Sequence, residues 1–221
     1  TKPKQFLELH GKPILVYTLE KYQQHEEISG IILVCVDGWI GYCENLIDRY
    51  RLTKVKAIVK GGETGQASIY NGLLEAEKFY PKESVVLIHD GVRPLIDEKT
   101  ISQAIACVKE KGSAITVSPA IETVVIKGDN DKVEQILDRK SCQHAKAPQC
   151  FILKNILDAH KKAIDDKHND FIDSAFLMQY YGYELHTVEG MAENIKITTP
   201  SDYYMFRAIV DVRENSEIFG I

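Results

Sequence analysis

An aspartate, a glycine and an arginine arrive together where an apolar run stops, because Ser84-Val85-Val86-Leu87-Ile88 is followed by His89-Asp90-Gly91-Val92-Arg93-Pro94. An uninterrupted apolar run of this kind reads as a buried parallel strand, and open α/β sheets bind ligands beyond the carboxyl ends of such strands. Asp90 has the chemistry to hold a divalent cation, Gly91 lets the backbone approach a ligand, and Arg93 has the charge to neutralise an anion or tether the loop. Phosphate chemistry fits that combination. So does a plain capped strand end on which Arg93 pairs with Asp90, and the segment alone does not separate the two.

Three further places carry candidate chemistry. Gly61-Gly62-Glu63-Thr64-Gly65-Gln66-Ala67-Ser68 lies between a strand and a helix amino terminus, where free backbone N–H groups and a hydroxyl can meet a nucleotide. It has neither the G-x-G-x-x-G spacing of a dinucleotide site nor the Gly-Lys-Ser/Thr of a P-loop, and a bare turn with a helix cap explains it equally well. In Ile195-Lys196-Ile197 the alternation turns Lys196 away from whatever the isoleucines pack on, either toward a phosphate near the next helix start or simply into solvent. Asp138-Arg139 reads by default as a surface ion pair. The seven histidines are scattered without metal-site spacing, so no metal is assigned to them.

Strand and helix signals alternate through the first half, which predicts an α/β fold with a mostly parallel sheet flanked by helices. Helices are expected after Pro13, over Trp39–Tyr50 and Gln66–Phe79, and from a cap at Asp97 to Gly112. Strands are expected at Ile31–Val36, Val55–Val59, Ser84–Ile88 and Ala114–Val117. The pattern then changes. Val124-Val125-Ile126, the turn Gly128-Asp129-Asn130-Asp131 and Val133 to Leu137 read as a β-hairpin arm at about 120–140, either covered by a second subunit or left as a solvated surface hairpin. Helices resume over Ile152–Ile164 and Asp173–Tyr180, with a strand at Tyr183–Val188 and a capped last helix from Thr199-Pro200-Ser201-Asp202.

The 221 residues, 44% hydrophobic and 27% charged, suffice for a single domain with one large core. A net charge of −5 leaves no basic surface for a nucleic-acid backbone, so nucleic acid is not an expected partner. The five cysteines are odd in number and lack Cys-x-x-Cys, which signals neither a disulfide framework nor zinc and fits a reducing cytoplasm. No run reaches bilayer length and no signal-peptide core is visible, so no membrane association is expected.

Several segments taken in order resemble one family. They are Pro3-Lys4-Gln5-Phe6-Leu7-Glu8-Leu9 with Gly11-Lys12-Pro13-Ile14, the Gly61–Ser68 loop with Asn71-Gly72-Leu73, His89–Pro94, Ala147-Pro148-Gln149, and Asn194-Ile195-Lys196-Ile197-Thr198-Thr199-Pro200. The chain is similar to the cytidylyltransferases that act on 2-C-methyl-D-erythritol 4-phosphate or D-ribitol 5-phosphate. The resemblance implies a Rossmann-like nucleotidyltransferase, a homodimer joined by the arm, and a Mg²⁺-dependent reaction of CTP with a polyol phosphate that releases pyrophosphate. It assigns charge stabilisation on the triphosphate to Lys4, and cytosine binding to Gly61, Gly62, Glu63 and Ser68. Asp90, beside Gly91, takes the metal and the ribose, Lys196 positions both phosphates, and Arg139 of a partner's arm holds the incoming sugar phosphate. The acceptor wall falls at Ala147, Ile172 and Asp173.

The family's first strand and Gly-rich loop with its arginine would precede Pro3-Lys4, and the expectation is that a segment carrying them lies before Thr1. Gly65 stands where many relatives have arginine. Ala147 and Ile172 stand where methylerythritol-phosphate enzymes usually have threonine, which removes two hydroxyl donors. Both acceptors stay open, and with them isoprenoid biosynthesis and cell-wall or capsule polyol assembly. A non-catalytic nucleotide-binding relative and a nucleotidyltransferase for another sugar phosphate are the alternatives.

Overall fold

The computed structural model describes residues 2–219. A short hairpin of β1 (Glu8–Leu9) and β2 (Lys12–Pro13) leads into α1 (Ile14–Gln24), whose start is set by the fixed backbone of Pro13 at φ −60°. Then come β3 (Ile31–Cys35), α2 (Ile40–Arg49), β4 (Val55–Lys60), α3 (Gly65–Phe79), β5 (Val85–Ile88), α4 (Glu98–Lys111) and β6 (Ser113–Pro119). The arm is β7 (Val125–Lys127) with β8 (Val133–Ile136), and β9 (Gln143–Ile152), α5 (Leu153–Asp165), α6 (Ser174–Tyr180), β10 (Thr187–Glu189) and α7 (Pro200–Phe219) complete the order.

Local chemistry explains most of these boundaries. Thr64 accepts the Ala67 N–H at 3.1 Å and Asp173 accepts the Phe176 N–H at 2.8 Å, each satisfying a donor that a helix start leaves free. Asp97 stands at the start of α4 as expected, although its carboxylate takes the Thr100 hydroxyl in place of a backbone N–H. Gly112 ends α4 at φ +86°, a conformation that favours glycine. Before α7, Asp202 accepts from the Thr198 and Thr199 N–H groups at 2.8 and 2.7 Å, while Thr199 Oγ1 accepts from the Asp202 N–H at 3.3 Å. That reciprocal box fixes where the 194–199 segment ends.

The sheet differs from the mostly parallel expectation. β3 and β4 form a parallel pair, but the largest sheet has the order β10-β6-β9-β5, with β9 antiparallel to both β6 and β5 and only β10 parallel to β6. The strand responsible is β9, which the sequence did not announce. Pro148 interrupts it and Gln143-His144-Ala145-Lys146 gives it a polar start, so both cues demote a run that is nevertheless central and hydrogen-bonded on both sides. The expected strand at Tyr183–Val188 is ordered as a ladder only over Thr187–Glu189.

Three of the apolar clusters that hold these elements in place bear on the strand ends and their neighbours. One packs Leu73, Phe151, Ile156, Leu177 and Met178 between the sheet and α3, α5 and α6. A second joins Phe6, Leu15, Leu33, Cys35 and Leu46. The third brings Val92 and Leu95, just past β5, against Ile197 and Phe206, so residues about a hundred apart in sequence share one core. Within it the Ile197 N–H donates to the Val92 carbonyl at 2.9 Å. Ile197→Ala should therefore cost about 2–5 kcal/mol of stability in urea unfolding, and Ile195→Ala, at a partly buried site, less.

Candidate active site

Beyond the end of β5 the chain turns back through an Arg93 N–H to Asp90 C=O hydrogen bond of 3.1 Å, and that turn aims the Asp90 side chain into a cavity. Each carboxylate oxygen holds one cation: Oδ1 accepts from Lys196 Nζ at 2.7 Å, and Oδ2 from Arg93 Nε at 3.2 Å. Burial pushes the Asp90 carboxyl up, but Lys196 and then Arg93 outweigh it and hold it below the usual carboxylate range. The expected pairing of Arg93 with Asp90 is present, and a second cation and a cavity converge on the same carboxylate. Ile197 is buried and Ile195 partly so, which sends Lys196 the other way, toward Asp90.

Arg93 is fixed at its far end, where Nη1 donates to the Asn194 carbonyl at 2.8 Å. Asn194 is itself buried and donates its side-chain amide to the Ala147 carbonyl of β9 at 2.9 Å. His89 Nε2 donates to the Arg93 carbonyl at 3.0 Å, which closes the loop from beneath and makes its Nδ1 the unprotonated nitrogen. Burial lowers the His89 pKa to about 4, so the ring is neutral at pH 7 and adds no charge beneath Asp90.

The cavity measures about 420 Å³ and is lined by Asp90, Arg93, Lys196, Lys146, Gly65, Gln66, Ala147, Gln149, Phe171, Ile172 and Asp173, among others. The volume suits a small ligand or part of a nucleotide. Two glutamine amides frame one wall. Gln66 donates to the His168 carbonyl at 2.9 Å and accepts the Phe171 N–H at 3.2 Å, while Gln149 donates to Asp173 Oδ2 at 2.9 Å and accepts the Ala175 N–H at 2.8 Å. The irregular segment 168–173 is thereby tied to α3 on one side and to β9 on the other. Between those ties Ile172 stands 87% exposed.

Of the residues singled out in the sequence, Asp90, Lys196, Ala147, Ile172 and Asp173 meet in this cavity. Gly61, Gly62, Glu63, Ser68 and Gly91 do not line it. The loop before α3 is nonetheless shaped by its own groups: the Gly62 N–H donates to Ser68 Oγ at 3.0 Å and that hydroxyl donates to the Thr64 carbonyl at 2.8 Å. A Cβ on Gly62 would lie 2.5 Å from that of Ala67, so only glycine fits this approach of loop to helix. Lys4 lies exposed in a short 3-10 turn outside the cavity lining. Arg139 sits at the base of the arm with Nη1 on the Ile121 carbonyl at 3.0 Å, exposed and away from its own chain's cavity.

The sequence reading gave no site role to Lys146, His160, Gln149 or Asn194, although the last two stand in segments that carry the family resemblance, and Gln66 belongs to the loop expected to bind cytosine. They lie in an unannounced strand, in helices and in irregular segments, where no spacing rule singles them out. A divalent cation fits Asp90, since each of its oxygens spends one lone pair on an N–H and keeps another, and Mg²⁺ typically takes one or two carboxylates plus substrate phosphates. A separate group, His10, Asp211 and Glu214, lies outside the cavity lining. No described helix is long and apolar enough to cross a membrane.

A carboxylate at a strand end, cross-linked to a lysine and an arginine and facing a cavity with room for part of a nucleotide in a Rossmann-like fold, fits a nucleotidyltransferase site. Similar proteins agree. Residues 1–212 match the family model of IspD, 2-C-methyl-D-erythritol 4-phosphate cytidylyltransferase. A ribitol-5-phosphate cytidylyltransferase of Streptococcus agalactiae serotype III is 53% identical over 100% of this chain and 92% of its own length. A 2-C-methyl-D-erythritol 4-phosphate cytidylyltransferase of Clostridium botulinum (strain Langeland) is 38% identical over 94% and 89%. The crystal structure of 4-diphosphocytidyl-2C-methyl-D-erythritol synthase from Anaerococcus prevotii superposes with a TM-score of 0.83 at 26% identity, covering 92% of this chain and 88% of that one. The chain belongs to the IspD cytidylyltransferase family. It is an enzyme, a CTP-dependent cytidylyltransferase that acts on a polyol phosphate.

The buried histidines make the site sensitive to acid. His160, stacked on Tyr70 at 5.5 Å and without a hydrogen-bond partner for its buried Nε2, is held by burial at a pKa of about 4, as is His89. Below the ordinary value of 6.5 the unfolded chain takes up protons that the folded one refuses. The histidine contribution to stability should be lost as the pH falls from about 6.5 to about 4, so urea midpoints measured across that range should fall less steeply in His160→Phe.

Proposed function

We propose that the acceptor is D-ribitol 5-phosphate and that the reaction, CTP plus ribitol 5-phosphate to CDP-ribitol and pyrophosphate, is carried by Asp90 with its two bound cations. Two lines support the acceptor. The ribitol-5-phosphate enzymes are 49–53% identical over the whole chain, against 38% for the botulinum methylerythritol-phosphate enzyme. Ala147 and Ile172 present no hydroxyl to the acceptor wall. 2-C-methyl-D-erythritol 4-phosphate is the second reading, favoured by the name of the family model.

The acceptor's phosphate oxygen attacks the α-phosphorus of CTP and pyrophosphate leaves. The attacking group is already ionised, so the chemistry needs no dedicated base. It needs two anions brought together and in line, which is a task for fixed cations. Lys196, held by Asp90, supplies one positive charge at the meeting point, and Arg93, braced by Asn194, supplies another. Mg²⁺ on Asp90, when bound, neutralises triphosphate charge. The Gly61–Ser68 loop, with Glu63 at its tip, reads the cytosine, and Lys4 reaches the triphosphate from the amino-terminal side.

We infer a homodimer through the arm, with Arg139 of one chain serving the other's acceptor site. The arm exposes Val125, Ile126, Val133 and Ile136 at 40–66%, an apolar surface that a two-stranded ribbon cannot bury by itself.

Lys196→Ala and Asp90→Asn should each lower CDP-ribitol formation by about 100-fold or more, the scale of one electrostatic contact in a transition state, with circular dichroism unchanged. Ribitol 5-phosphate should be turned over with the highest kcat/KM in a panel of polyol phosphates, as followed by pyrophosphate release, and preference for methylerythritol phosphate would reverse the acceptor assignment. Val133→Asp with Ile136→Asp should give a monomer by sedimentation and lose turnover together with the dimer.

A further inference from the structure

We propose that Lys146 binds the phosphate of the acceptor, an inference that rests on the cytidylyl-transfer reading of the site. Three cations line the cavity: Arg93, Lys196 and Lys146. Arg93 and Lys196 share the Asp90 carboxylate, whereas Lys146 has no carboxylate at ion-pair distance among the described residues. Its ammonium donates to the Ala192 carbonyl at 2.7 Å, a neutral acceptor that places the group without compensating its charge. Burial and then the nearby Arg93 guanidinium hold the Lys146 ammonium below the usual lysine range, against a smaller opposing pull from Glu193. A partly buried cation beside another cation, with no carboxylate at ion-pair distance among the described residues, is relieved by an incoming anion.

Position along β9 identifies which anion. Gln149 pairs with Ile88, the last residue of β5, so β9 residues before Gln149 run on past the strand end where Asp90 sits. Lys146 is three residues further, roughly 10 Å at the rise of a strand, on the side leading to the arm and Arg139. Ala145 and Ala147 flank it with methyl groups only, and both line the cavity along with Ile172 and Asp173. The cytosine loop enters from α3 instead. Lys146 therefore stands on the acceptor side of Asp90, where a polyol phosphate has to place its anionic end to attack.

Steady-state kinetics with CTP and ribitol 5-phosphate test this, using wild type, Lys146→Ala and Lys146→Arg with melting temperatures as a fold check. Lys146→Ala should raise the KM for ribitol 5-phosphate by about tenfold or more and leave the KM for CTP within about twofold, and Lys146→Arg should recover most of the loss. An unmoved acceptor KM, an equal rise in the KM for CTP, or failure of arginine to rescue overturns the proposal. Absence of turnover by the wild type with every polyol phosphate overturns the cytidylyl-transfer reading and the proposal together, whereas turnover with an unmoved acceptor KM overturns the proposal alone.

Discussion

The Asp90 carboxylate holds Lys196 on one oxygen and Arg93 on the other, and much of the surrounding structure keeps that arrangement in register. A lysine on a flexible stem loses rotamer freedom when it is fixed, and a partly exposed ion pair returns little free energy by itself. Packing therefore has to bring the partners together. Ile197 and Val92 do so by sharing an apolar cluster and a backbone hydrogen bond, which places residues 90 and 196 within reach before any charge is counted. The ion pairs then set the orientation of side chains already in place.

The same logic extends outward through neutral groups. Asn194 links Arg93 to β9, His89 supports the loop as an uncharged ring, and Gln66 and Gln149 tie the segment that carries Ile172 to a helix and a strand. None of these groups adds charge, so the field in the cavity is set by the three cations and by Asp90 and Asp173. Each glutamine amide uses a donor and an acceptor on one side chain, which fixes two points of the segment or its cap at once. An irregular segment held in that way keeps its shape without a ladder.

How much of this was legible in the sequence depended on whether a signal was local. The apolar run ending at Asp90, the proline opening α1, the glycine closing α4 and the Thr199–Asp202 box each lie within a few residues and were readable. The arm was readable from its turn. β9 was not, because Pro148 and a polar start hide a strand whose stability comes from neighbours on both sides, and the sheet is mixed for that reason. Within the site, Asp90 and Lys196 stood out as charges against apolar neighbours. Lys146, Gln66 and Gln149 carry no such contrast, and their roles depend on contacts that span long stretches of sequence.

In the proposed reaction Asp90 and Lys196 act as one unit, the carboxylate holding the ammonium where phosphate charge would gather. The direct measurement is a double-mutant cycle on kcat/KM for CDP-polyol formation with Asp90→Asn, Lys196→Gln and the pair. The double variant should be about as impaired as the worse single one, since either change already dissolves the unit. Losses that simply multiply would mean that the two side chains contribute independently, and would contradict that coupling.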